Sequence, residues 1–95
     1  MNNTLQLSEA HGKFQDFLKS KNRASATILA YGKDIEQLID FLKSLEKNQI
    51  HEVSGVDIQA FLTKLQGDGY TPKSLSRKLN STRTFYRYLK INEFV

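Results

Sequence analysis

The sequence predicts an all-α fold, a single bundle of four helices, on three observations. Apolar residues recur at intervals of three and four in four segments and alternate in none, which is helical rather than strand periodicity. Helix start and stop signals bracket those segments. The 95 residues suffice for one modest core and not for two.

The first helix is expected over about 8–21, with Ser8 as N-cap and Ala10, Phe14, Phe17 and Leu18 turned inward. The second, over about 26–45, follows Ser25 as a cap candidate and aligns Ile28, Tyr31, Ile35, Leu38, Ile39, Leu42 and Leu45 on one side. Phe41 falls outside that arc, so it packs on a neighbouring element or the helix is buried on more than one side. The third, over about 55–66, opens with a capping-box pattern, Ser54 to Asp57, and buries Val56, Ile58, Phe61, Leu62 and Leu65 before Gly67-Asp68-Gly69 ends it. The connection before it is short, with Ile50 and Val53 tucked against the core. The fourth, over about 72–90, begins with Thr71 as N-cap and Pro72 at the first helical position, where a missing N–H costs nothing. Its expected core stripe is Leu75, Leu79, Thr82, Tyr86 and Leu89.

Composition removes several function classes. The absence of cysteine excludes disulfides and thiolate metal sites and fits a reducing cytosol. His11 and His51 lie far apart in sequence, so a metal site would need carboxylates alone, and no cofactor is expected. No run approaches 18 apolar residues, and Met1 to Leu7 lack an export pattern, so the expected partners include no membrane and the expected location is the cytoplasm. Asp34 and Asp40 fall on the polar side of the second helix, where capping or pairing with lysines is a better reading than acid–base work. Gly67-Asp68-Gly69 is too short and too acidic to cradle a phosphate, and no small-molecule substrate is expected.

The net charge of +4 is unevenly placed. Residues 1–68 hold eight Lys or Arg against nine Asp or Glu, while residues 69–92 hold six basic residues and no acid. Opposite the expected stripe of the fourth helix lie Arg83, Ser76, Arg87, Asn80, Lys73, Thr84 and Arg77, all hydrogen-bond donors or cations. A helix so equipped suits the major groove of duplex DNA, with long cations for phosphates and Asn, Ser, Thr or Arg for base edges. An anionic membrane would compete for the apolar face that the core needs.

The segment Ala24-Ser25-Ala26-Thr27-Ile28-Leu29-Ala30-Tyr31-Gly32-Lys33-Asp34-Ile35, then Leu38, Phe41 and Leu42, resembles the Thr-x3-Tyr-x2-Asp-Leu opening of the core-binding domain of phage integrases and tyrosine recombinases. Val53-Ser54, Asp57-Ile58, Phe61-Leu62 and Leu65 resemble that family's third helix. Gly69-Tyr70, Ser74, Ser76-Arg77-Lys78-Leu79, Arg83, Phe85-Tyr86 and Tyr88-Leu89 resemble its fourth. The likeness covers Ser8 to Glu93. It implies a SAM-like four-helix domain forming half of a C-shaped clamp on double-stranded DNA, with the second and fourth helices facing the duplex. Carried over by position, the DNA-binding residues would be Thr27 and Lys33 on the second helix, and Lys73, Ser76, Arg77, Asn80, Arg83, Thr84 and Arg87 on the fourth. The family often has a second basic residue beside the one matching Lys33, where this chain has Gly32.

Family catalysis resides on a separate C-terminal domain with a nucleophilic tyrosine, so no catalytic residue is expected here. Tyr31, Tyr70, Tyr86 and Tyr88 read as core or boundary aromatics. The chain is expected to be a monomeric piece of a longer bacterial or phage protein that assembles as a tetramer on DNA, with the interdomain linker beginning near Asn92-Glu93-Phe94-Val95. A helical protein-interaction module with no DNA role is the alternative function, since such bundles also dock on acidic proteins.

Overall fold

The computed structural model describes residues 5–93, and the expectations for residues 1–4 and 94–95 lie outside it. Four helices follow one another: α1, Leu7–Ser20; α2, Ser25–Ser44; α3, Gly55–Gly67; and α4, Pro72–Ile91. A 3-10 turn, Ile50–Glu52, sits between α2 and α3. Among the described residues the nearest approach to a sheet is an isolated antiparallel bridge between Gln6 and Gln49. Around it the Leu7 amide donates to the Asn48 carbonyl at 2.9 Å and the Ile50 amide to the Leu5 carbonyl at 3.0 Å.

Capping chemistry explains most helix starts. Glu9 accepts from the Gln6 amide at 3.2 Å, so the cap of α1 is Gln6, and Ser8 lies inside the first turn. Ser25 is likewise helical, because Ala24 occupies the cap position of α2 with an extended backbone and no side-chain bond. For α3, Asp57 reaches back to the Ser54 amide at 2.9 Å as its spacing predicts. For α4, the Thr71 hydroxyl accepts from the Ser74 amide at 3.2 Å. Gly69 takes φ +93° in the turn before α4, a conformation that a side chain would strain.

The core gathers Leu7, Ala10, Phe14 and Leu18 from α1, Ile35, Leu38, Ile39 and Leu42 from α2, Phe61 and Leu65 from α3, and Phe85 and Leu89 from α4, with Ile50 closing one end. Phe14 is central. Its ring meets Phe85 edge-on at 5.2 Å and lies 5.8 Å from Tyr88 and 6.4 Å from Tyr31. Phe41 packs on Phe61 at 5.5 Å, which resolves its place outside the main arc of α2.

Expected core positions fail on three of the helices. Leu45 is 41% exposed because α2 ends at Ser44 and leaves it in the cap. Val56 is 77% exposed because the inward row of α3 is Asp57, Phe61 and Leu65, and Val56 precedes that row by about 100°. The stripe on α4 is also misplaced. Its buried residues are Lys78, Ser81, Thr82, Phe85 and Leu89, while Leu75, Leu79 and Tyr86 are only half-buried. The buried side is therefore turned by roughly 60° from the predicted one, as counted at 100° per residue.

This rotation separates two substitutions that periodicity alone would equate. Phe85→Ala, which empties a site with no solvent exposure beside Phe14, should cost about 3–5 kcal/mol, whereas Leu79→Ala should cost less than about 2 kcal/mol. Thermal or urea unfolding of the two variants checks the order.

Candidate nucleic-acid interface

The polar face of α4 rests on a buried carboxylate contributed by α2. Asp34 is 2% exposed, although the sequence placed it on the polar side of its helix. Four hydrogen bonds converge on it, all from α4. Arg77 donates from Nε to Oδ2 at 3.2 Å and from Nη2 to Oδ1 at 2.7 Å. Lys78 Nζ donates to Oδ1 at 3.0 Å and Ser81 Oγ to Oδ2 at 2.7 Å. A carboxylate offers about four lone-pair sites, so this one is saturated.

The cluster extends to the turn before α4. The Lys78 ammonium lies 5.2 Å from the centroid of the Tyr70 ring, a cation–π contact. Gln37 Nε2 of α2 donates to the Tyr70 hydroxyl at 2.9 Å. Lys78 can be 7% exposed because its charge meets Asp34 on one side and an aromatic face on the other. Periodicity missed this position because it treats every lysine as an outward residue.

The predicted site residues divide accordingly. Lys73, Ser76, Asn80, Arg83 and Arg87 are exposed on the side of α4 opposite its buried row. Lys90 joins them, a position that sequence reasoning left out and that the corrected rotation brings in. Arg77 moves to the margin next to α2, where it is ion-paired yet its side chain stays 54% exposed. Thr84 is half-buried, and its hydroxyl donates back to the Asn80 carbonyl at 2.9 Å. On α2, Thr27 is half-buried, and Lys33 is exposed about 100° round the helix from Asp34. Lys33, Lys73, Arg83, Arg87 and Lys90 enter none of the ion pairs among the described residues.

Gly32 belongs to a different contact. It is buried against α1, where a Cβ would collide with the Gln15 side-chain amide, and its carbonyl lies 2.9 Å from His11 Nε2. A long basic residue there would have to displace Gln15. The tyrosines are packing residues in this arrangement. Tyr31 stacks on Phe14, and Tyr88 lies 4.7 Å from Phe17. Burial, and after it the Asp57 carboxylate, push the Tyr86 phenol well above the ordinary tyrosine range. No group of His, Asp and Glu suited to a metal ion occurs among the described residues, and no helix there is long and apolar enough to cross a membrane.

Burial alone would raise the Asp34 carboxyl, but the bonds from Arg77, Ser81 and Lys78, with the charge of Lys78, outweigh it and hold the carboxyl below the usual range. The folded state thus binds this proton less readily than the unfolded chain does. The resulting stability is present above the unfolded value of about 4 and is lost as pH falls through the lower folded value. Acid titration of the melting temperature should show a decline below about pH 4 that is diminished in Asp34→Asn.

Residues 12–93 match the family described as phage integrase, N-terminal SAM-like domain. The chain is 35% identical over 83 residues to a tyrosine recombinase XerC of Oceanobacillus iheyensis, covering 86% of this chain and 27% of that protein. It is 34% identical over 77 residues to a XerC of Anoxybacillus flavithermus, covering 80% and 26%. It thus spans about a quarter of the length of these curated relatives. Among solved structures, the N-terminal domain of a phage integrase/site-specific recombinase from Haloarcula marismortui superposes with a TM-score of 0.90 at 16% identity, over 97% of this chain and 88% of that one. That likeness carries the fold, and the match over 12–93 carries the family: this chain belongs to the N-terminal SAM-like domains of phage integrases and tyrosine recombinases.

Proposed function

We propose that the chain is the DNA-binding N-terminal domain of a tyrosine recombinase, holding one side of a duplex at a recombination site while strand cleavage is performed by a separate domain. The observation that carries this reading is the ridge on α4. Lys73, Arg83, Arg87 and Lys90 are exposed and unpaired among the described residues, in a stretch with no acid from residue 69 to 92. A cationic ridge backed by a packed apolar face can approach phosphates without giving up the core, and it releases condensed counterions when it does.

Within this reading Lys33, Lys73, Arg77, Arg83, Arg87 and Lys90 meet phosphates. Ser76 and Asn80, between the cations, meet base edges, with Thr27 and Thr84 at the margin. The domain alone binds as a monomer and weakly, because it supplies half of a clamp. The whole protein works in the cytoplasm on the nucleoid as a tetramer on DNA.

A salt titration of duplex binding tests the proposal. About six phosphate contacts at about 0.9 each give a log–log slope near −5, and a docking surface for an acidic protein gives a shallower one. Arg83→Ala and Arg87→Ala should each reduce the slope by about 1 without lowering the melting temperature. Binding indifferent to salt, or to both substitutions, overturns the proposal.

A further inference from the structure

Arg77 differs from every other cation of the ridge in being held. Asp34 engages its Nε and one Nη2 proton, which leaves three of the five guanidinium N–H groups unused on a side chain that is 54% exposed. The carboxylate has no capacity left to draw those donors inward, since Lys78 and Ser81 occupy its remaining sites. The charges sort the same way. Lys78, with its side chain 8% exposed, cancels Asp34 inside the seam, and the surplus positive charge belongs to Arg77 at the surface.

The two parallel bonds fix the plane of the guanidinium as well as its position, which a single-point contact would not do. Arg83 and Arg87 make no ion pair among the described residues and must lose rotamer freedom on meeting an anion. We infer that Asp34 is a positioning residue for nucleic-acid binding, which presents the free edge of Arg77 to one backbone phosphate of the duplex at a set angle to α4. The inference rests on the DNA reading given above. It assigns the acid of the α2 motif a role in binding through Arg77, beyond its part in joining two helices.

The test is a double-mutant cycle read by fluorescence anisotropy with a labelled duplex. It is run in a Lys78→Met chain so that the fold does not have to bury an unbalanced ammonium when Asp34 is neutralised. In that chain Arg77→Ala, which leaves the buried Asp34 without a cation and is therefore compared below the onset of its own melting curve, should weaken binding about fivefold, and Asp34→Asn should weaken it by a similar factor. Arg77→Ala added to Asp34→Asn should then cost less than twofold. In the otherwise unaltered chain Arg77→Lys, which keeps the charge and loses the fork, should bind about as weakly as Arg77→Ala.

The inference is overturned if the folded Asp34→Asn chain binds as tightly as its parent or more tightly, since Asp34 would then only neutralise a cation. Equal costs of Arg77→Ala with and without Asp34, or Arg77→Lys binding like the parent, overturn it as well. In each of these cases loss of affinity in Arg83→Ala leaves the DNA reading standing. Salt-indifferent binding that Arg83→Ala does not alter removes both.

Discussion

The arrangement of this domain depends on one buried carboxylate. A charge taken out of water costs several kcal/mol unless its lone pairs are filled, and Asp34 is filled entirely by donors of α4. Apolar packing alone is permissive about the rotation of a helix around its own axis, because a Leu or Phe can shift within a soft interface. Four hydrogen bonds from positions 77, 78 and 81 are not permissive. They fix which side of α4 meets α2 and therefore which side is left to solvent.

Much of the fold was legible because it rests on local chemistry. The Ser54–Asp57 box, the Thr71-Pro72 start and the glycine turn after α3 act within a few residues, and each element lies where those signals put it. The rotation of α4 was not legible, and the reason is specific. The predicted stripe admitted Leu75 and Leu79 and left out Phe85, the bulkiest apolar residue of the helix, because Phe85 sits between Lys78, Ser81 and Leu89 on the helical wheel. A lysine and a serine looked like solvent positions. They became core positions only because an acid on another helix, more than forty residues earlier, was there to receive them.

The same long-range pairing reshaped the candidate site. Arg83, Arg87, Asn80, Ser76 and Lys73 could be placed from periodicity with a tolerance of tens of degrees, since they lie near the middle of the exposed arc. Arg77 and Thr84 lie at its edge, where a turn of about 60° decides between open solvent and a neighbouring helix. The one available hint was the balance of charge. Six cations and no acid in residues 69–92 left any buried member dependent on a carboxylate from elsewhere in the chain.

The connections divide the molecule into two helical hairpins. Four residues, 21–24, join α1 to α2 and another four, 68–71, join α3 to α4, whereas ten, 45–54, separate the pairs. Closing a short loop costs little chain entropy, and contacts distant in sequence wait for larger loops to close. The hairpins are thus free to form early, and the contacts between them, the Asp34 cluster across 43 to 47 residues and the Phe14–Phe85 pair, wait for the longer connection to close. Two joints between the hairpins, one ionic at Asp34 and one aromatic at Phe14, both end on α4, so that helix is the main element through which each hairpin meets the other.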